Sequence, residues 1–153
     1  MIAVCLPAVV LVSLMSELRS AAAGETRWVN ARVECGGADG AQVPCREAGN
    51  RYVLVAGGER LRISPADPNG RVFDDVRVRN RNLWVRLWRQ ADGTYSVLRV
   101  LAEEEGKFWE LYYFCRTCNI RAFAGGPCWC CQAEFEFRRE PIDPATIPDF
   151  PRR

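Results

Sequence analysis

The chain has no histidine among its 153 residues, and that absence removes more functions than any residue present assigns. Ser–His and Cys–His nucleophilic pairs are excluded, because the usual general base is missing. Imidazole metal ligands are excluded with it, which argues against a catalytic zinc site that keeps an open coordination position beside a general base. The remaining acid–base candidates are adjacent acids, Asp74-Asp75 and Glu103 to Glu105. Adjacent acids in turns are read as solvated charge, so the chain is expected not to be an enzyme. Charge of one sign is also lacking, since 21 basic and 19 acidic residues leave only +2. There is no long helical periodicity and no internal repeat, and at this length one ordinary core, or a small domain with a metal-held appendage, is all that fits.

Long hydrophobic runs are missing too. Ile2 to Met15 covers 14 residues, short of the roughly 20 needed to span a bilayer as a helix but suited to the core of a signal peptide. Ala21-Ala22-Ala23 follows as an A-x-A cleavage site. The expectation is therefore a signal peptide over residues 1–23, an exported protein of the periplasm or extracellular space beginning near Gly24, and no transmembrane span in the mature chain. The basic n-region of a signal peptide is absent, which a start codon lying further upstream would explain.

What is present is cysteine in an informative spacing. Cys115-Arg-Thr-Cys118 and Cys128-Trp-Cys130-Cys131 are separated by nine residues. Two CxxC knuckles at this distance can aim four thiolates at one point, the tetrahedral set that zinc accepts. Cys115, Cys118, Cys128 and Cys131 are thus the expected Zn²⁺ ligands, with iron in a rubredoxin-like site as the alternative. Asn119, directly after the first knuckle, tolerates the left-handed backbone such turns need. A redox CxxC normally opens a helix after a strand, whereas Cys115 closes the aromatic run Lys107 to Phe114. Four thiolates around Zn²⁺ carry a net −2, which cancels the surplus +2 of the chain. A near-neutral holo-protein lacks the electrostatic drive for nucleic acid.

Three cysteines remain once Cys5 leaves with the leader. Cys35 and Cys45 enclose a polar Gly-rich loop and are expected to form a local disulfide, with two unpaired core thiols as the alternative. Cys130 reads equally as a free thiol, a substitute ligand for Cys131, or an intermolecular link.

Strand signals fill the rest. Thr26 to Cys35 alternates apolar and polar, and Arg51 to Ala56 and Glu59 to Ile63 flank Gly57-Gly58 as a hairpin. Ser64 to Gly70 is a breaker-rich loop, Arg71 to Asp75 at most one helical turn, and period two returns from Val76 to Val100, with a turn at Ala91-Asp92-Gly93. Ala133 to Arg138 is the return strand of the cysteine ribbon. The expected fold is mainly β: a small OB-like barrel over 24–111, a zinc-ribbon-like hairpin of four cysteines over 112–140, and a Pro-rich tail over 141–153 that is extended on the surface or solvated. With Leu83, Val85 and Leu87 facing the core, Trp84, Arg86 and Trp88 share the outer face, a stripe able to stack bases or sugar rings. The plainer reading is that the ribbon docks on these tryptophans and covers them.

Tyr112-Tyr113-Phe114-Cys115-Arg-Thr-Cys118-Asn-Ile-Arg121 with Gly126-Pro127-Cys128-Trp-Cys130-Cys131-Gln132 resembles a group of small exported planctomycete-type bacterial proteins of uncharacterised function. The likeness covers residues 26 to 140, includes a strand of the form Val76-Arg-Val-Arg-Asn-Arg, and implies export and a β-barrel-like first half. A looser likeness joins the ribbon to heavy-metal-binding domains with a PGxCPxCGM pattern, where Gln132-Ala133 here replaces Gly-Met. Together these readings point to an exported, zinc-stabilised, non-catalytic binding or scaffold module with a protein or glycan partner in the cell envelope. The alternative is a metal- or thiol-handling protein in which Cys130 reacts or exchanges ligands.

Overall fold

The computed structural model describes residues 24–37, 41–49 and 51–151, so the expected signal peptide at 1–23 lies outside the described residues. Among the described residues, eight strands form one antiparallel sheet. In chain order they are β1 (Thr26–Cys35), β2 (Tyr52–Ala56), β3 (Glu59–Arg62), β4 (Leu83–Arg89), β5 (Tyr95–Glu104), β6 (Lys107–Cys115), β7 (Ile120–Ala122) and β8 (Glu136–Ile142). No described helix is long and apolar enough to cross a membrane.

β1 is shared between two neighbours. Its first half, from Thr26 to Ala31, pairs with β4, and its second half, from Arg32 to Cys35, pairs with β2. A strand used this way must bend, and the bend wraps the sheet around a core of Val29, Ala31, Leu54, Leu61, Val72, Phe73, Val78, Leu83, Val85, Leu87, Val97 and Val100. The β2–β3 hairpin turns on Gly57 and Gly58, whose φ values of 55° and 85° are the left-handed pair a tight hairpin demands. Cys35 and Cys45 are joined in a disulfide across the loop that leaves β1.

The sheet is open. Its outer strand β3 and the start of β5 meet at one parallel bridge, Ile63 to Tyr95, and no ladder continues from it. Beyond the bridge, side chains replace strand pairing: Asp67 accepts the Val97 N–H at 2.8 Å, and the Asn69 amide donates to the Val97 carbonyl at 2.8 Å. A continuous barrel is therefore not formed by backbone hydrogen bonding, because the chain after Ile63 turns into a 3₁₀ segment (Pro68–Asp74) that inserts Val72 and Phe73 into the core instead. Gly70 is required in that segment, since a Cβ there would meet Ile63 Cγ2 at 2.8 Å.

Two expectations need correction. Val76 and Val78, read as alternating strand residues, belong to a short helix, α1 (Val76–Arg79). Asp75 caps it, its side chain accepting the Arg77 N–H at 2.8 Å, so only Val78 reaches the core while Val76 stays 52% exposed. In β5, the inward set does not hold one parity. The β4 pairing steps from Leu87↔Val97 to Arg86↔Arg99, leaving Leu98 as an unpaired bulge residue. An extra residue flips every later side chain, so Tyr95 and Val97 point inward before the bulge and Val100 and Ala102 after it.

Candidate metal centre

β6 links the core to the cysteine ribbon. One edge of β6 pairs with β8 from Phe108 to Phe114, while its other edge pairs first with β5 and then, at Tyr113 to Cys115, with β7. Cys115 closes this strand and is fully buried. Across from it, Pro127 bridges to Glu134, the Phe135 N–H donates to the Gly126 carbonyl at 2.9 Å, and Cys128 is held buried by its N–H to the Ala133 carbonyl at 2.8 Å.

The two knuckles share one local device. The residue following each second cysteine is left-handed: Asn119 at φ 56° and Gln132 at φ 63°. Each reverses the chain so that both sulfurs of its pair point the same way. Asn119 was legible from its tolerance of this conformation; Gln132 carries no such signal, and only its place after CxxC marks it.

The Sγ atoms of Cys115, Cys118, Cys128 and Cys131 all lie within 4.8 Å of one another. Four ligands at about 2.3 Å from a tetrahedral metal stand about 3.8 Å apart, so the set is of the right size. The Cys115 and Cys131 sulfurs, 3.4 Å apart, are far beyond the roughly 2.05 Å of a disulfide. These residues therefore fit a thiolate-bound metal, and their geometry alone does not select its identity.

Backbone donors and the other thiols set the proton affinities here. The Ala133 N–H, followed by the thiols of Cys118 and Cys115, pulls Cys131 down to about 7. The Cys118 N–H also lowers Cys115, but burial and the thiols of Cys131 and Cys128 outweigh it and the group is raised. Cys118 is raised by hydrogen bonding to Cys131 first and then to Cys130. Crowded thiols that share protons in this way release them together when a cation arrives. Cys130 itself is exposed.

Packing around the site forms its own small apolar cluster of Tyr113, Cys115, Cys128 and Phe135. Phe137 packs against both this cluster and the main core, and Phe123 against the main core. Trp129, between two cysteines at the tip of the second knuckle, covers Phe135 at 5.2 Å yet is 66% exposed. Asp74 is exposed as expected and Asp75 is not, and both tie the helical segment to the sheet: Tyr52 donates to Asp74 at 2.6 Å, and Tyr113 donates to Asp75 at 2.5 Å.

The outer stripe has a different fate from the one expected. The ring on Trp84 is Phe150 of the C-terminal tail, at 5.0 Å, and not a ribbon residue. Arg86 pairs with Asp149 at 2.6 Å, and Trp88 is 41% exposed. The tail thus lies ordered on the sheet, with Ile147 buried. Its signal in the sequence was slight: Asp149-Phe150 is an acidic–aromatic pair between two prolines, with Ile147 just before it.

No protein-family model, curated protein or solved structure matches the chain.

Proposed function

We propose that the protein is an exported, zinc-stabilised, non-catalytic module that binds or scaffolds a cell-envelope partner, and that its first five strands are an OB-like barrel whose β3–β5 seam is sealed by side chains. The four-cysteine cluster carries the reading. A ribbon from Tyr112 to Arg138 with so small an apolar cluster gains its order from metal binding, because the free energy of coordination is folding free energy for such a segment. Burial of Cys115 and Cys128, with all four positions taken by protein sulfur, supports a closed structural site over an open catalytic one. Shared β1, the β1–β4–β5 order, the helical segment after β3 and the parallel Ile63–Tyr95 bridge support the barrel reading. The Cys35–Cys45 disulfide and the leader-like residues 2–23 support export into an oxidising space.

Metal analysis of protein purified without chelators tests this. One zinc per chain, lost in Cys128→Ser, is the expected result; no metal, or full retention by that variant, overturns it, and an iron–thiolate absorption band replaces zinc by iron.

One observation favours a second reading. Cys130, though outside the four-cysteine set, is exposed beside Cys131 and is one of the thiols that raise Cys118. A fifth thiol within reach of a ligand makes metal exchange or thiol reactivity the alternative function.

A further inference from the structure

After β8 ends at Ile142, the described residues make no further strand, and their backbone hydrogen bonds stay local: Thr146 to Asp143, Ile147 to Pro144, Phe150 to Ile147. Side chains hold it down. Phe150 sits among three aromatic rings, Trp28 and Trp84 at 5.0 Å and Phe108 at 5.4 Å, mostly edge-on or tilted. Beside it the Asp149 carboxylate meets Arg86. This is how a short peptide ligand is held: one aromatic anchor in a socket and one charge pair at its rim.

The socket does not depend on the tail for its shape. Trp28 and Arg86 are cross-strand partners on β1 and β4, and the Trp84 indole donates to Glu103 at 2.8 Å, which sets its ring from within the sheet. The tail also satisfies the socket incompletely. Trp28 Nε1 and Arg86 Nε are buried with no acceptor in reach. A buried donor left unmet carries a cost that a ligand offering one more acceptor would relieve. Pro148 and Pro151 flank Asp149-Phe150, and the Phe150 N–H closes a tight turn on the Ile147 carbonyl at 3.2 Å, so fixed proline φ angles make the segment cheap to order.

We propose that the outer face of β1, β4 and the start of β6, built from Trp28, Trp84, Arg86 and Phe108, is a binding site for a short peptide segment of a partner protein that carries an acidic residue followed by an aromatic one. The chain's own Asp149-Phe150 occupies that site in cis, so a partner segment must displace it. This deepens the reading of the protein as a binding module and commits it to a protein partner over a glycan.

The test uses the full chain and a fluorescent peptide of residues 143–151 as probe, read by anisotropy. Because cis occupancy lowers apparent affinity by the fraction of open sites, Phe150→Ala is expected to bind the probe about tenfold or more tightly than the parent does. Asp149→Ala should shift affinity in the same direction, and Arg86→Ala added to Phe150→Ala should weaken it again. Equal binding by parent and both variants, or no binding by either variant, overturns the proposal. Capture of a neutral β-glucan oligosaccharide by Phe150→Ala in place of the peptide overturns it as well. If Phe150→Ala loses its strand signal by circular dichroism and Asp149→Ala binds no peptide, the tail is a structural strap and the proposal falls. Zinc content measured on the same samples separates this outcome from failure of the metal-stabilised module, since the socket touches no cysteine.

Discussion

Tyr113 donates its hydroxyl to Asp75 across 2.5 Å, joining the strand that ends in Cys115 to the residue that caps α1. The same carboxylate is gripped by Arg77 through two nitrogens, and the Arg77 guanidinium lies 4.3 Å over the Phe137 ring. One acid thus connects the 3₁₀–helix segment, β6 and β8, which places it at the junction between the main core and the cysteine ribbon.

Stability should fall in acid through this group. Burial works to raise the Asp75 carboxyl, but Arg77 and Tyr113 together hold it at about 2, below its ordinary 3.8. A depressed folded value stabilises the native state above the ordinary value and loses that contribution as pH drops through about 2. Denaturant titrations at pH 6 and pH 2.5 should show the parent losing about 1.5 kcal/mol more than Asp75→Asn. An identical pH dependence in both would remove Asp75 from this role.

Tyr113→Phe should cost about 1–2 kcal/mol, since it leaves the Asp75 carboxylate short of one hydrogen bond in a largely buried setting. Metal content is expected to stay the same, because the hydroxyl is bonded to Asp75 and not to a cysteine. Loss of metal in this variant would mean that the junction positions Cys115 directly.

Chelation should be felt locally. Removing metal is expected to raise hydrogen exchange across residues 112–138 while β1 to β5 keep their protection, because the two apolar clusters are distinct and meet at Phe137. Uniform loss of protection along the chain would contradict that separation.

The two valines of α1 should behave unlike a strand pair. Val78→Ala removes a fully buried side chain and should cost about 2 kcal/mol, while Val76→Ala, at a position 52% exposed, should change stability by less than about 0.5 kcal/mol. Chemical denaturation of both variants gives the comparison; equal costs would restore the strand reading.

Cys130→Ser distinguishes the two functional readings. A structural site keeps its metal stoichiometry and its exchange rate with a colorimetric chelator, whereas a thiol-handling site exchanges metal more slowly without the fifth sulfur. Chelator kinetics on the parent and the variant measure it.

Much of this architecture is written in short-range chemistry. Alternation marked β1, the Gly57-Gly58 pair marked the β2–β3 hairpin, and the cysteine spacing marked the four sulfurs that converge, because each depends only on neighbours a few residues apart. Period two misled at Val76 and Val78, since two apolar residues at i and i+2 satisfy a strand or a capped turn equally, and the Asp75 cap decides only when Tyr113 and Arg77 are there to hold it. The Leu98 bulge was equally hidden: it lies next to Val97, whose backbone groups are met by Asp67 and Asn69, about thirty residues away. What covers the Trp84 stripe was also beyond local reading. Sequence alone determined that an outer aromatic face exists, because residue alternation on β4 requires it. Only the tertiary structure decided that Phe150 fills it, because 66 residues separate Phe150 from Trp84 and nothing but the folded path of β5, β6 and β8 brings the chain's end back across that face.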